Sequence, residues 1–371
     1  MTQTVNTKIY NKKIGQKTQK ALDLLRVPGT DLYRAAHPGY PGNFSRDSLT
    51  YGMLAGDKHA LYAQIEYSAK YQGTKKNPVT GEEPGKIHHE LPEVIINNKS
   101  SAYNACDTTA LFLLAIASLY ESGDEEILKK YSKNIQAGIL YIKSHIRGGL
   151  FYENPAYCGS ETFALNVTYW KDSELNYHNP IPHYPIVFSL AHFQNAAAIA
   201  AIGRAIGRSD LSDFSIRMVD SGLNILWKQD HFITALDGDC NEIDSINSDS
   251  LHALLYIDPD YIPDGYAEKI QQYMSKLDTK AGYLSGIAWK NGIDDYHTRY
   301  IWVHEQALLH AASKKHNLEK CAEVAVRTTD FINSFPELID PKSGYIPAGN
   351  QPQLWAIGAS LYFENPIQSL L

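Results

Sequence analysis

The hydrophobic positions along the chain recur mostly at helical spacing, in segments of two kinds. Residues 107–121 and 185–206 are apolar on almost every face, whereas residues 124–146 are apolar on one face and polar on the other. A helix that is apolar all round is buried on every side, while an amphipathic helix lies at a surface. The alternation of the two kinds therefore predicts an inner and an outer layer of helices.

About eleven or twelve helical segments are predicted in all, and strand signals are few. The other predicted helices cover residues 19–25, 45–54, 59–71, 211–227, 248–256, 263–277, 300–312, 318–334 and 354–363. We expect Ser45 or Asp47 to cap the helix over 45–54. The pattern favours an all-α (α/α)6 toroid, in which helical hairpins place an inner ring inside an outer ring. An α-solenoid is the competing all-α arrangement, but no repeat of fixed period supports it.

We expect a single catalytic domain over residues 27–371, preceded by a polar, basic arm and first helix over residues 1–26. A chain of 371 residues could hold two average domains, but single large enzyme domains also reach this length. The polar connection over residues 73–99 is much longer than usual. Long connections of this kind in a compact domain tend to be functional.

The composition and charge of the chain limit the kinds of molecule that the protein can bind. The net charge of -7 and the pI near 6.0 argue against nucleic acid, which needs a basic surface. No segment has the apolar length of a signal peptide or a membrane span, and the four cysteines are scattered singly. We therefore expect a soluble, cytoplasmic protein without a membrane partner, and leave its oligomeric state open.

Candidate chemistry centres on residues 167–176, which read Val-Thr-Tyr-Trp-Lys-Asp-Ser-Glu-Leu-Asn. Asp172 lies there beside Trp170 and Lys171. Aromatic rings suit the apolar faces of sugars, while Lys171 and nearby carboxylates would move the pKa of Asp172 in opposite directions. These features fit a general acid. The alternative is that Asp172 caps the next helix, which is the usual role of an isolated loop aspartate.

Several separated motifs accompany this stretch. They are Asn-Phe-Ser-Arg-Asp-Ser at 43–48, Thr-Gly-Glu-Glu-Pro-Gly-Lys-Ile-His-His-Glu at 80–90, Asp-Thr-Thr at 107–109, Trp-Lys-Asp-Ser at 170–173, Ala-Leu-Asp-Gly-Asp at 235–239 with 244–246 and His252, Pro-Glu-Leu at 336–338 and Asn-Gln-Pro-Gln-Leu-Trp at 350–355. In these motifs and their order, the chain resembles bacterial amylo-α-1,6-glucosidase-like and glucoamylase-like glycoside hydrolases from about residue 43 to residue 363.

The resemblance implies an (α/α)6 barrel that cleaves α-glucosidic bonds with inversion. It further implies an exo-acting enzyme that releases glucose from oligosaccharides or from glucans such as glycogen. Asp172 would be the general acid and Glu337 the general base, two carboxylates of the kind that acetal hydrolysis needs. Arg46 and Asp47 would hold the hydroxyls of the terminal sugar, and a helix-capping ion pair is the alternative role for them.

The chain departs from the family where residues 302–306 read Trp-Val-His-Glu-Gln instead of the frequent Trp-Pro-His-Asp-Asn, and a glycine is missing around 298–301. Glu305 is therefore a second candidate base. We also expect the barrel alone, without the extra N-terminal sheet domain that many relatives carry. The further residues expected to bind substrate are Glu90, Asp107, Trp170, Lys171, Trp302, Glu305 and Trp355. Asp107 would serve equally well as a plain helix N-cap, and each tryptophan as a core residue.

Other function classes stay open at this point. No cofactor or metal is expected, because neither His88, His89 and Glu90 nor the set at 297, 304 and 305 has the His-Glu-x-x-His spacing of zinc hydrolases. Trehalases and glucosylglycerate-type hydrolases share this barrel and similar carboxylates. A non-catalytic carbohydrate-binding protein on the same frame is the alternative outside enzymes.

Overall fold

The computed structural model describes residues 15–173, 183–287 and 296–366. Thirteen α-helices lie in these residues. They are α1 (Gln16–Leu25), α2 (Ser45–Ala55), α3 (Lys58–Lys70), α4 (Thr108–Glu121), α5 (Glu126–Lys130), α6 (Ser132–Ser144), α7 (Ser189–Ala205), α8 (Ser209–Ile225), α9 (Asp249–Leu254), α10 (Tyr266–Met274), α11 (Val303–Lys315), α12 (Glu319–Val326) and α13 (Leu354–Glu364).

Six of these helices form a closed inner ring. Helices α2, α4, α7, α9, α11 and α13 pack each against the next, and α13 packs back against α2. Their residues are buried on nearly every face, as expected of helices that are apolar all round. The predicted (α/α)6 toroid is confirmed.

The outer ring consists of amphipathic helices, each packed mainly on one inner helix. Helix α3 covers α2, α6 covers α4, α8 covers α7, α10 covers α9 and α12 covers α11. Helix α1 completes the ring, because it packs on α13 and buries Leu22 and Leu25 there. We therefore propose that the barrel domain begins at α1 and not after residue 26.

The start of α2 differs from the sequence prediction. The N-cap position belongs to Phe44, and no side chain caps the helix there. Ser45 and Asp47 lie inside the first turn, so the predicted capping by one of them is wrong. The side chain that does cap an inner helix is Gln353, whose Oε1 accepts a hydrogen bond from the amide of Ala356 at the start of α13. The carboxylate of Asp47 therefore makes no capping bond and can interact with other groups.

Short antiparallel strands join the connections between helices. They are β1 (Asn43–Phe44), β2 (Glu90–Leu91), β3 (Ile95–Ile96), β4 (Lys99–Ser100), β5 (Ile146–Arg147), β6 (Leu150–Phe151), β7 (Val187–Phe188), β8 (Trp227–Lys228), β9 (His231–Phe232), β10 (Ala235–Leu236), β11 (Glu242–Ile243), β12 (Asp278–Thr279), β13 (Gly282–Tyr283), β14 (Ile301–Trp302), β15 (Leu338–Asp340) and β16 (Ile346–Ala348). Strands β1, β7 and β14 each end directly before an inner helix and pair with a strand of another connection. This pairing fixes the connections that enter the inner ring.

Two further properties concern the chain as a whole. Among the described residues, no helix combines the length and the apolar character that a membrane span requires. All four cysteines are free thiols, and three of them are buried.

Candidate active site

The connections that lead from outer to inner helices meet at one end of the barrel, where they enclose a pocket of about 450 Å³ including the open space at its mouth. Its lining residues are Ala35, Tyr40, Phe44, Arg46, Asp47, His89, Trp170, Asp172, Tyr296, His297, Trp302, Glu337, Gln353 and Trp355. The two carboxylates predicted to be acid and base thus lie in the same pocket, although 165 positions separate them in the chain (337 minus 172).

Asp172 lies in the connection between α6 and α7 and is partly exposed to the pocket. Burial raises the pKa of Asp172 to about 6, and the Arg46 charge opposes this rise. The carboxylates of Asp107 and Glu90 add to it. The sequence assigned the opposing positive charge to Lys171, but the structure assigns that influence chiefly to Arg46. A carboxyl group with this pKa carries a proton at mildly acidic pH, as a general acid must.

Glu337 directly precedes β15 and is buried. The backbone amide and the side-chain amide of Asn350 both donate hydrogen bonds to its Oε2, at 3.0 and 2.9 Å. The carbonyl oxygen of Glu337 accepts a bond from the amide of Val303 at the start of α11. The strand pairing and these bonds hold the carboxylate at the pocket wall, with Oε2 as the acceptor.

Arg46 is paired with Asp107 and not, as the sequence suggested, with its neighbour in the chain. Its Nε and Nη2 donate to the two carboxylate oxygens of Asp107 at 2.8 and 3.0 Å. Both side chains are buried. Asp107 does occupy the N-cap position of α4, but its side chain makes no capping bond there. This bidentate pair joins the first turn of α2 to the start of α4 and fixes the guanidinium at the pocket wall.

Asp47 is a third carboxylate of the pocket. Its Oδ1 accepts a hydrogen bond from Nε2 of Gln353 at 3.1 Å. Burial raises the pKa of Asp47 to about 8, with Arg46 opposing and the charge of Glu337 adding to the rise. At neutral pH this group is therefore mostly protonated and offers a sugar hydroxyl both a donor and an acceptor.

All three predicted tryptophans line the pocket and are also buried in the core. The imidazole of His304 stacks on Trp355 with ring centroids 3.7 Å apart, and that of His297 stacks on Trp302 at 4.8 Å. Trp170 meets both histidines edge to face. The rings form one rigid aromatic wall. The tryptophans therefore belong to the core and also present their rings to the pocket, so that both roles proposed for them are compatible.

Four of the predicted substrate-binding residues are not among the residues that line this pocket, and one of them is Asp107, the partner of Arg46. Lys171 and Glu305 are fully buried and interact with each other, with 3.4 Å between Nζ and Oε1. Glu90 is buried beside the pocket residue His89, and its Oε1 accepts a hydrogen bond from Ser101 at 2.5 Å. Their charged groups interact with other residues of the chain and not with the pocket. The sequence identified the segments that surround the pocket, but it did not show which side chains of each segment face it.

Several pocket residues were not predicted from the sequence to bind substrate, and most of them are aromatic. Tyr40, Phe44, His89, Tyr296 and Gln353 all lie in connections that enter the inner ring, next to residues that were predicted. Burial and the charge of Glu337 raise the pKa of Tyr296, and the same two influences raise that of Tyr40. The chain has 25 tyrosines, and this high number was the available signal for Tyr40 and Tyr296.

A second, smaller cavity lies deeper in the barrel. It is lined by Arg46, Thr50, Asp107, Leu111, Trp170, Gln194, His252, Tyr256, His304, Leu308 and Trp355. Arg46, Trp170 and Trp355 line both cavities and so form the partition between them. Both ring nitrogens of His252, Nδ1 of His304 and Oε1 of Gln194 are buried without a hydrogen-bond partner among the described residues. The deeper cavity is thus polar.

The two histidine sets considered for metal binding do not converge. Among the residues that the structure describes, no group of three or more His, Cys, Asp or Glu side chains is placed to hold a metal ion. His88 instead packs edge to face against Tyr67, and His304 stacks on Trp355. The aromatic neighbours account for the burial of both rings.

Comparisons with known proteins place this geometry in context. No protein-family model matches the chain, and no curated protein matches it. Solved structures do. The GH63 mannosylglycerate hydrolase from Thermus thermophilus, in complex with Tris and D-glycerate, superposes with a TM-score of 0.70 at 13% identity, over 94% of this chain and 99% of that one.

Two further solved structures have the same fold as this chain. A wild-type glycosidase matches with a TM-score of 0.62 at 14% identity and covers 96% of both chains. A GH78 family rhamnosidase of Bacillus sp. GL1 matches at 0.60 and 11% identity, over 95% of this chain but 34% of its own. At such identities the likeness establishes the fold. The chain therefore has a fold shared with glycoside hydrolases, and its resemblance to amylo-α-1,6-glucosidases stays a prediction.

Proposed function

We propose that this protein is an inverting, exo-acting glycoside hydrolase that releases glucose from α-glucosidic bonds. The observation that carries the proposal is the joint placement of Asp172 and Glu337 in one aromatic pocket. Hydrolysis of an acetal requires a proton for the departing oxygen and, with inversion, a base that activates water on the opposite face of the sugar ring. Each carboxylate has an environment that suits one of these tasks.

Asp172 donates the proton in this mechanism. Its pKa of about 6 keeps a useful fraction protonated near neutral pH while leaving it acidic enough to give the proton up. Its partial exposure to the pocket lets the glycosidic oxygen approach. As the bond to the anomeric carbon breaks, the proton of Asp172 passes to the leaving oxygen.

Glu337 activates the water. Hydrogen bonds from the backbone and side-chain amides of Asn350 to Oε2 orient the carboxylate, which accepts a proton from the water. The water then attacks the anomeric carbon from the face opposite the leaving group. The released sugar consequently has the inverted anomeric configuration.

The shape of the pocket supports attack at chain ends or on small glycosides. Arg46, Trp170 and Trp355 lie at the inner end of the pocket, where it borders the deeper cavity. A terminal sugar would fill this inner end, where Asp47 and Gln353 present polar atoms to its hydroxyls and the aromatic wall meets its apolar face. The remaining part of the bound substrate would extend through the mouth of the pocket into solvent.

A small glycoside of a hydroxy acid is a second candidate substrate. The mannosylglycerate hydrolase has almost the same length as this chain, since the match covers 94% of one and 99% of the other, and it was solved with D-glycerate bound. The same enzyme was also solved with glucose. A barrel of this size with a small pocket at one end suits a disaccharide-sized substrate as well as a glucan end.

The test is to incubate the purified protein separately with maltose, isomaltose, trehalose, glycogen, glucosylglycerate and mannosylglycerate, and to measure the released hexose. Asp172→Asn, which keeps the size of the side chain, is the matched control. Release of glucose from maltose, isomaltose or glycogen by the wild type alone would support the proposal. Release only from the glycerate glycosides would favour the second candidate, and binding without release from any substrate would support a carbohydrate-binding protein.

A further inference from the structure

A buried ion cluster lies directly behind the residue proposed as general acid. The Nζ of Lys171 lies 2.8 Å from Oδ1 of Asp249 and 3.4 Å from Oε1 of Glu305, and it donates a hydrogen bond to Oγ of Ser248 at 2.8 Å. It also donates to the carbonyl oxygen of Ser285 at 2.8 Å. The hydroxyl groups of Ser248 and Ser285 in turn donate to the two oxygens of Glu305.

This cluster joins three parts of the barrel. Ser248 and Asp249 lie at the start of α9, Glu305 lies in the first turn of α11, and Lys171 belongs to the connection before α7. The lysine and Glu305 have no exposed surface, and Asp249 is nearly as buried. A charge removed from water in this way needs its partners in place, so the cluster holds its members in one geometry.

The residues just before Asp172 are anchored as well. The hydroxyl of Tyr169 donates to Oδ2 of Asp249 at 3.1 Å, and its ring stacks on Phe188. The carbonyl oxygen of Thr168 accepts a bond from the amide of Cys106. The backbone that presents Asp172 to the pocket is therefore fixed on its N-terminal side by Thr168, Tyr169 and Lys171 in succession.

We infer that Lys171 and Glu305 are positioning residues that hold Asp172 at the leaving-group oxygen, and that Glu305 is not the catalytic base. The inference rests on the proposed function. Neither side chain is among the residues that line the pocket, so neither is placed to touch the sugar or the attacking water. Both act through the backbone of residue 172, and a displacement of the acid by about 1 Å is enough to lower a rate about 100-fold.

A substrate pair that differs in its need for the acid provides the test. An alkyl glycoside requires protonation of its leaving oxygen, whereas the corresponding glycosyl fluoride needs little, because fluoride is a weak base. The sugar is whichever hexose the wild type releases. For Glu305→Gln and Lys171→Met we expect kcat on the alkyl glycoside to fall about 10- to 100-fold and kcat on the fluoride to fall less than about 3-fold.

Matched controls separate positioning from general destabilisation. Lys86 and Glu153 form another fully buried ion pair, at 3.0 Å and outside the pocket, so Lys86→Met and Glu153→Gln should lower the melting temperature without changing the ratio of the two activities. If Lys171→Met fails to fold, Ser248→Ala removes a bond to both Lys171 and Glu305 while keeping every charge, and it should shift the ratio in the same direction.

The inference is overturned if Glu305→Gln lowers both activities equally, since a lost base slows attack on either substrate. It is also overturned if both Glu305→Gln and Ser248→Ala leave the ratio at the wild-type value. A wild type that turns over neither substrate contradicts the proposed function itself, so the two failures can be told apart.

Discussion

Gly349 and Glu337 face each other so closely that a β-carbon at position 349 would lie 2.6 Å from Oε2 of the glutamate. Gly349 also has a φ of +71°, in the left-handed region that glycine adopts without cost. Two independent constraints thus require glycine at this position. One concerns the backbone of the turn after β16, and the other concerns the place of the carboxylate that we propose as the base.

The first prediction follows from this contact. Gly349→Ala should displace the Glu337 carboxylate and lower kcat at least about 100-fold, since about 1 Å of misplacement has that effect. Gly344→Ala is the matched control, because Gly344 has a φ of +84° in the preceding turn but no atom within 4 Å of the added carbon. Both variants should lose about 1 to 2 kcal/mol of stability. Equal activity of the two variants would show that the contact is unimportant for catalysis.

The second prediction concerns the two carboxylates themselves. Asp172→Asn and Glu337→Gln should each lower kcat about 10²- to 10⁴-fold, the usual contribution of a general acid or base. Both replacements keep the shape of the side chain, and the amide oxygen of Gln at 337 would still accept the bonds from Asn350. Circular dichroism and the melting temperature should therefore stay near the wild-type values. A Glu337→Gln enzyme with most of its activity would refute the base assignment.

The third prediction concerns pH. Asp172 must be protonated to act, so kcat/KM should fall as the pH rises through about 6, the pKa of this carboxyl group in the free protein. Initial rates between about pH 4 and pH 9 would locate this alkaline limb. A limb near 8 would match Asp47 and would name that residue as the proton donor instead.

The fourth prediction concerns stability at Asp47. Its pKa is raised from 3.8 to about 8, so the folded protein binds this proton more tightly than the unfolded chain does, and stability is lost as the pH rises through that interval. Asp47→Asn keeps the acceptor for Gln353 and removes the titration. It should stabilise the protein by about 1 to 2 kcal/mol at pH 8 and by much less at pH 4, at the expense of activity. Thermal melts at the two pH values measure this, and an equal effect at both would contradict the burial argument.

The fifth prediction concerns the deeper cavity. Buried polar atoms in proteins are nearly always hydrogen-bonded, to ordered water where no side chain serves. A high-resolution crystal structure should therefore show ordered water within hydrogen-bonding distance of His252, His304 or Gln194. Difference density that is flat around all three side chains would contradict it.

Much of the fold could be predicted from the sequence, because a helix buried on all faces and a helix buried on one face differ in the spacing of their apolar residues. Helix α4 is apolar throughout, and α6 is amphipathic, which is enough to assign them to the inner and outer rings. The placement of site residues in loops before inner helices also followed, since such loops meet at one end of a toroid. Asp172 and Glu337 share a pocket for that reason.

The pairing of charges could not be predicted in this way. Arg46 contacts Asp107 across 61 positions, and Lys171 contacts Glu305 across 134 (305 minus 171). Adjacent residues in an irregular connection turn to different sides, so Asp172 faces the pocket while Lys171 faces the core. Local sequence contains no periodicity that tells these two directions apart, and for this reason Lys171 and Glu305 were expected in the pocket.

The most direct test of the account is the anomeric configuration of the sugar at the moment of release, followed by proton NMR with an α-glycoside that the enzyme turns over. We predict that the β-anomer appears first and that the α-anomer grows in only later, by mutarotation. Initial release of the α-anomer would mean retention of configuration, and it would contradict the assignment of Asp172 and Glu337 as an inverting acid and base.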